Sequence, residues 1–485
     1  MSVGCVPPWA FALCVLLNAA SGCSTSEQRA LTRAELLDPE SCKDCHPKHY
    51  AEWSSSMHAY AMLDPVFLAM NRRGQEEAQL GAFCVNCHAP MAVREKAITD
   101  FADLSSVPKH LQGVTCYFCH NAMGVMEPHN NAQIQLADDT IMRAALSRPV
   151  RPYAHDVGYS IYHDASKLES SLMCGTCHDV VTPGGFHLEK TLDEYKRSVA
   201  ARPGFGFQSC QDCHMRRSQY AMPAAEYEGV GARTTHSHLW PAVDVALTPD
   251  FPNQPAMRSA VERCELENSI SYFELDAGES LPGEPYTFSL LIETNAGHAM
   301  PSGAAQDRRM WVELVAYDAS GREVLRTGDI PEGRVEELPP GTPGHDPNLC
   351  IFRDRVYDAQ GEVAHMFWQA VSRDEPERVL PPSINAEQRH WAECAYATSS
   401  GASAPPARME IKVRMRPMGI DVLQELVKSG HLDPVHIAAM PTFTVTHREA
   451  TYDATSRGYR IRSLSQPDCD ESRCMLDPRA PGCAP

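Results

Sequence analysis

Five short segments of this 485-residue chain repeat one arrangement of reactive side chains. They are Cys42-Lys-Asp-Cys45-His46, Cys84-Val-Asn-Cys87-His88, Cys116-Tyr-Phe-Cys119-His120, Cys174-Gly-Thr-Cys177-His178 and Cys210-Gln-Asp-Cys213-His214. Two thiols three positions apart reach the two vinyl groups of one porphyrin and form thioethers. The histidine that follows turns its imidazole under the ring as an iron ligand, so Cys-x-x-Cys-His is the attachment pattern of c-type haem. Structural zinc sites and thioredoxin-like redox pairs also use Cys-x-x-Cys. Zinc would need such pairs to cooperate, and neither alternative accounts for a histidine after every second cysteine. Chance supplies the motif roughly 0.03 times per chain of this composition. Five copies therefore predict five covalently bound haem c groups, with His46, His88, His120, His178 and His214 as proximal iron ligands.

Each such iron has a sixth position. Filled by histidine or methionine, it makes a low-spin electron carrier; left open, it binds a small molecule. Five of the 21 histidines are spent in the motifs, and the remainder suffice to close every iron. The surrounding sequence resembles the cytochrome c-552/c-554 family of multihaem cytochromes over residues 42–215. The resemblance is carried by Cys42–His46 followed by Tyr50, Trp53, Ser56 and His58-Ala59, and by Gly113-Val114-Thr115 leading into Cys116–His120 with His129 downstream. Ser171 before Cys174-Gly-Thr-Cys177-His178-Asp179, and the closing Cys210–His214 with Met215, add to it. It implies His58, His129 and His163 as distal ligands, with His155 as a competitor, and one histidine of the pair His236 and His238, of which His238 is taken. One departure is that Asn121-Ala122-Met123-Gly124 stands where the family has a small glycine-containing stretch after the third motif. Met57, Met62, Met70, Met123, Met126 and Met215 lie near the motifs as rival ligands, but methionine is more often a core filler. Bis-histidine ligation is the default.

The motifs are irregularly spaced, which excludes a fixed-period solenoid. The elements that must position them are short helices and loops over residues 41–247. Asp64–Gln79 reads as one helix, with Asp64 at its start and Phe67, Leu68 and Leu80 apolar. Thioethers and iron ligation, more than side-chain burial, should hold this region together, as in other metal-coupled folds. After about Asn268 the texture changes to alternating runs at Ser269–Leu275, Tyr286–Glu293, Met310–Tyr317, Glu323–Thr327, Met409–Met415 and Phe443–Val445. These predict antiparallel strands over residues 265–450, interrupted by a helix with Asp421 as N-cap, Leu423, Leu426 and Val427 on one face and Gly430 as its stop. Thr398–Pro406 reads as an exposed loop. The expected class is α+β and multidomain: a mostly helical or irregular multihaem cytochrome c domain followed by an antiparallel β-sandwich-like domain.

Between the second and third strands lies Asn295-Ala-Gly-His298-Ala-Met-Pro301-Ser-Gly303, similar to the "GHxxPTG" loop that follows the haem domain in many bacterial multihaem cytochromes. The likeness implies His298 as a ligand reaching across domains; the alternative is a histidine that only helps the turn. Arg308 and Arg309 beside it are candidates to pair with haem propionates, or are ordinary solvated arginines.

Residues 1–22 hold no charge, with an apolar stretch from Trp9 to Leu17 too short to span a bilayer, and small residues leading to Cys23. They read as a secretory signal, and the small residues before Cys23 resemble a bacterial lipobox. The expectation is an exported protein of the periplasm or outer membrane of a Gram-negative bacterium. It meets the membrane only through a lipid anchor at Cys23, with residues 23–40 as a linker. Cys264, Cys350, Cys394, Cys469, Cys474 and Cys483 remain for up to three disulfides, the last three in a tail over residues 451–485. The net charge of −19 repels nucleic acid and favours redox partner proteins with basic docking patches. An electron carrier is the first reading. A multihaem oxidoreductase, acting on a small nitrogen or sulfur compound at one five-coordinate haem, is the alternative, and a structural subunit is a distant third. No Cys-x-x-Cys-Lys occurs, the mark of the active haem in pentahaem nitrite reductases.

Overall fold

The computed structural model describes residues 29–146, 148–218, 220–252, 265–267, 269–278, 281–383 and 390–464. The signal segment, Cys23, Cys264, Cys469, Cys474 and Cys483 lie outside the described residues.

In the first half the motifs sit on or beside single helical turns: Val85–His88, Cys116–His120, Cys210–His214, and the end of Leu168–Gly175. The last motif shows why such short turns form. Ser209 Oγ accepts from the Asp212 backbone N–H at 3.3 Å and the Asp212 carboxylate accepts from Ser209 N at 2.9 Å, a reciprocal cap. Helix α1, Pro65–Ala78, starts where Asp64 accepts from Val66 N at 2.8 Å and ends at Gln79, whose φ of 52° is left-handed. Its buried face carries Val66 and Ala69, while Leu68 points outward and Phe67 lies on His88. Helices α2, Leu168–Gly175, and α3, Thr191–Arg197, flank a hairpin of β1, Asp179–Val181, and β2, His187–Lys190. Three further two-stranded pairs occur among the described residues of this half, one of them Ala122–Val125 with Ile134–Leu136. Their strands of two to four residues are too short for an alternating signal to register in sequence.

The second half holds β3, Ile270–Ala277; β4, Thr287–Thr294; β5, Arg309–Tyr317; β6, Glu323–Thr327; β7, Ile351–Phe352; β8, Ala392–Ala397; β9, Arg408–Arg416; helix α4, Ile420–Lys428; β10, Phe443–Asp453; and β11, Gly458–Ser463. A three-stranded antiparallel sheet runs β8-β4-β3; a six-stranded one runs β6-β5-β9-β10-β11, with β7 also paired to β5. Leu290 and Ile292 of the first sheet share one fully buried core with Val312, Leu314, Ile411, Val413 and Val445 of the second. Each such aliphatic side chain contributes about 1.5–3 kcal/mol by its burial. Cys350, beside β7, is bonded to Cys394 in β8 and ties the two sheets together. The molecule is α+β.

The halves meet along α1 and α4. Val66 and Ala69 share a cluster with Ile420, Leu423 and Leu426, and Arg73 bridges Glu77 at 2.6 Å and Glu425 at 3.1 Å. Gly419, rather than Asp421, is the N-cap of α4, because Asp421 is drawn into ion pairs with Arg309 at 2.8 Å and Arg353 at 3.4 Å.

Candidate haem sites

One cavity of about 1020 Å³ runs through the first half. Both cysteines of the first four motifs and His46, His88, His120 and His178 line it, and Gln211 and Met215 of the fifth motif reach its edge. The thiols interleave. Cys42 neighbours Cys116, Cys87 neighbours Cys177, and Cys174 neighbours Cys210, each pair close enough for one thiol to perturb the other. The first motif therefore neighbours the third, and the fourth neighbours both the second and the fifth.

The residues flanking the motifs have local reasons. Gly113, at φ 72°, lies where a Cβ would be 2.6 Å from the His58 carbonyl oxygen, so only glycine lets the strand of chain before Cys116 lie on the His58 turn. Val114 N donates to that carbonyl at 2.8 Å and Trp53 Nε1 donates to Val114 O at 2.8 Å. Ser171 Oγ accepts from Cys210 N at 3.2 Å and so ties the fourth motif's helix to the fifth motif.

Four motif histidines have Nδ1 at a backbone carbonyl: His46 to Ala224 O at 2.9 Å, His88 to Ala61 O at 2.9 Å, His120 to Arg143 O at 2.6 Å and His214 to Pro241 O at 3.1 Å. A ring that donates from Nδ1 keeps a lone pair on Nε2, the form that ligates iron. Burial favours the same neutral form. It pushes His58 down to about 3, and His178 and His298 each down to about 4. Neighbouring thiols, carbonyl-anchored imidazoles and a large internal cavity fit covalently bound haem c.

A metal–nitrogen bond of about 2 Å on each side of an iron puts the two ring centroids roughly 6 Å apart. Four motif histidines face another histidine at that spacing: His46 and His155 at 6.3 Å, His178 and His58 at 6.3 Å, His120 and His238 at 6.1 Å, and His214 and His298 at 6.3 Å. His236 instead has Nδ1 2.7 Å from Met215 O. His163 stacks on His120 at 5.1 Å with its Nε2 at Cys119 O, 3.1 Å away. Among the described residues no ring contact pairs His129 with a motif histidine, although its turn lies against the fourth motif, where Ala132 N donates to Thr176 O at 2.6 Å. The residues after His120 extend as the strand Ala122–Val125, which carries His129 to the hairpin's turn beside Glu127, 3.3 Å from its carboxylate. His155, the competitor of these two, takes the facing position at His46.

His88 differs. Phe67 stacks on it at 4.0 Å with planes 8° apart, and among the described residues no histidine ring faces it. Met70, one turn beyond Phe67, lines the same cavity. Met57 and Met215 also line it, whereas Met62 is core and Met123 and Met126 are exposed. The buried His49, 4.8 Å from His238 and 6.0 Å from His46, drew no notice in sequence; its place three residues after His46 on the helix Pro47–Ser54 is the only signal it gives.

The two arginines separate. Arg309 is buried in the β-rich half against Asp421, which removes it as a propionate partner. Arg308 lines the cavity, but both its terminal nitrogens are held by Asp244 at 2.8 Å. The His298 loop is clamped by α3. Glu194 accepts from Ala299 N at 3.0 Å and from Ser302 Oγ at 2.6 Å, and Thr191 Oγ1 accepts from Gly303 N at 2.9 Å.

Residues 41–121 match the family described as cytochrome c554 and c-prime. The fold is similar to the crystal structure of a penta-heme cytochrome c552 from Thermochromatium tepidum, with a TM-score of 0.56 and 20% identity, over 86% of this chain and 99% of that one. No curated protein matches the chain.

Proposed function

We propose that this chain, a multihaem c-type cytochrome resembling the cytochrome c-552/c-554 family, carries five haem c groups and relays electrons between redox partner proteins. Haem so bound supplies a one-electron ferric/ferrous couple. The closeness of thiols from different motifs carries the reading, because cofactors attached to neighbouring residues would lie near enough to exchange electrons. In this reading His155, His58, His238 and His298 are the distal ligands opposite His46, His178, His120 and His214. His129 and His163 are not used. Partners with basic docking patches follow from the charge of −19. Export, with a lipid anchor at Cys23, is part of the proposal; among the described residues no helix is long and apolar enough to cross a membrane.

The second reading is an oxidoreductase acting on a small nitrogen or sulfur compound at the His88 site. It is favoured by one observation: His88 alone of the motif histidines faces no histidine ring among the described residues. The ferric spectrum of the purified holoprotein decides. A high-spin fraction near one haem in five that responds to nitrite, hydroxylamine or, when reduced, carbon monoxide supports the second reading. A wholly low-spin spectrum, unchanged by these ligands, leaves the carrier alone. A histidine–methionine signature at one haem that is lost in Met70→Ala assigns Met70 to His88.

A further inference from the structure

The hairpin β1–β2 follows the fourth motif directly and pairs Val180 with Glu189. The Glu189 side chain lines the haem cavity and accepts no hydrogen bond among the described residues. Its charged surroundings are four groups from three places. Arg308 and Asp307 lie at the start of β5, Asp244 on the segment before the β-rich half, and Asp179 across the hairpin. Cys87 of the second motif is close enough to feel its charge. Asp244 takes both terminal nitrogens of Arg308, and Arg308 Nε donates to Ser302 O at 2.9 Å, so the guanidinium has no donor left for Glu189. Asp179 is occupied by His187 Nε2 at 2.6 Å and Asp193 N at 3.2 Å. His187 is half-exposed and stands on the same strand as Glu189, at the solvent side.

Three carboxylates, Glu189, Asp244 and Asp307, thus surround Arg308: Asp307 is buried and also attracted by Arg309, Asp244 is 40% exposed in its ion pair, and Glu189 is half-buried with no cation of its own. Asp244 has the ion pair. Glu189 has neither a hydrogen bond nor a dedicated counter-charge, and burial, the largest cause, pushes its carboxyl up to about 7. It lies on the hairpin that follows the fourth motif and close to Cys87 of the second.

We propose that Glu189 is a redox-linked proton carrier of the second and fourth haem sites. One electron from a one-electron donor protein converts one ferric iron there to ferrous, and one proton from water binds a Glu189 carboxylate oxygen. The local charge is unchanged. On reoxidation by an acceptor protein the electron leaves and the proton returns to solvent. The inference rests on the haem reading above.

The test is a spectroelectrochemical titration of the holoprotein at steps from about pH 5 to about pH 9, with the haem content of each sample measured alongside. In the wild type the midpoint of one component falls as pH rises through the neutral range, approaching about 59 mV per tenfold change in proton activity for a one-proton, one-electron couple. In Glu189→Gln that slope is lost with the haem content unchanged, and Glu189→Asp retains it. An unchanged slope in Glu189→Gln overturns the inference and leaves the haem reading standing; a protein without covalent haem overturns the haem reading itself. Should Glu189→Gln fail to assemble, the wild type alone decides by its redox-difference infrared spectrum. A protonated-carboxyl band gained on reduction supports the inference, and its absence overturns it.

Discussion

The ring of His298 stands 6.3 Å from that of His214 with the two planes 13° apart, although the first belongs to the β-rich half and the second to the last Cys-x-x-Cys-His motif. His298 Nδ1 is 2.8 Å from Ala299 O, which leaves Nε2 as the nitrogen able to ligate. With haem bound between the two rings, as proposed, the β-rich half would be part of the fifth site. His298→Ala is expected to add one high-spin haem, about a fifth of the total, to the ferric spectrum, and added imidazole is expected to return it to low spin. A spectrum untouched by the substitution would give the position opposite His214 to another group.

Glu194 acts on the same site through the loop. Buried at 7% exposure, it accepts from the donors on either side of Met300 and Pro301. Glu194→Ala leaves the buried Ala299 N–H unpaired and Ser302 Oγ with Thr191 Oγ1 alone, at a cost of about 1–3 kcal/mol. The expected result is a lowered Tm together with a partial high-spin signal at the fifth site. Glu194→Gln keeps an acceptor for Ala299 and is expected to restore the low-spin spectrum, which a loss of packing alone would not do.

What the sequence made legible was whatever chemistry had written at fixed spacing. The five motifs, the strands Ile270–Ala277, Thr287–Thr294, Arg309–Tyr317, Glu323–Thr327 and Arg408–Arg416 and the helix begun by Asp64 lie within a few residues of the pattern, whereas Phe443–Asp453 runs eight residues past its expected end and Ile351–Phe352 and Ala392–Ala397 gave no signal. Distal histidines are different, because each is brought to its partner by the whole chain. His129 follows His120 in sequence, yet the strand Ala122–Val125 leads it to Glu127, and among the described residues no ring contact pairs it with a motif histidine. His238 and His236 are indistinguishable as letters; only the fold buries the first against His120. Arg308 and Arg309 are likewise adjacent, but strand alternation sends one to the cavity and the other to Asp421.

Cys350 and Cys394 join a six-stranded sheet to a three-stranded one across 44 residues of chain. Closing a loop of that length restricts the unfolded chain and stabilises the fold by about 2–4 kcal/mol. The double substitution Cys350→Ser with Cys394→Ser is expected to lower the Tm of the β-rich half and leave haem content intact. Equal Tm values for the variant and the wild type would remove the bond from the account of stability.

Asp421 gives the pH dependence of the seam between α4 and the β-rich core. Burial alone would raise its carboxyl, but Arg309 and Arg353 outweigh that and hold it at about 2, against the ordinary 3.8. A carboxyl with a lowered folded pKa contributes stability that is fully present above its unfolded value and is lost as pH falls toward the folded one. The window here lies between about pH 4 and about pH 2, and the contribution is about 2 kcal/mol. Asp354 moves the other way: burial pushes it up to about 6, so it takes stability away as pH rises. The measurement is therefore the difference in Tm between wild type and Asp421→Asn at each pH, which cancels groups common to both. At neutral pH the variant is expected to be less stable, since Arg309 and Arg353 lose their shared counter-charge, and breaking a buried pair from one side costs about 3–5 kcal/mol. Below about pH 4 the gap is expected to narrow, because the wild-type carboxyl is losing its charge. A gap that stays constant across that window would mean the Arg309–Asp421 pair does not stabilise α4 through its charge.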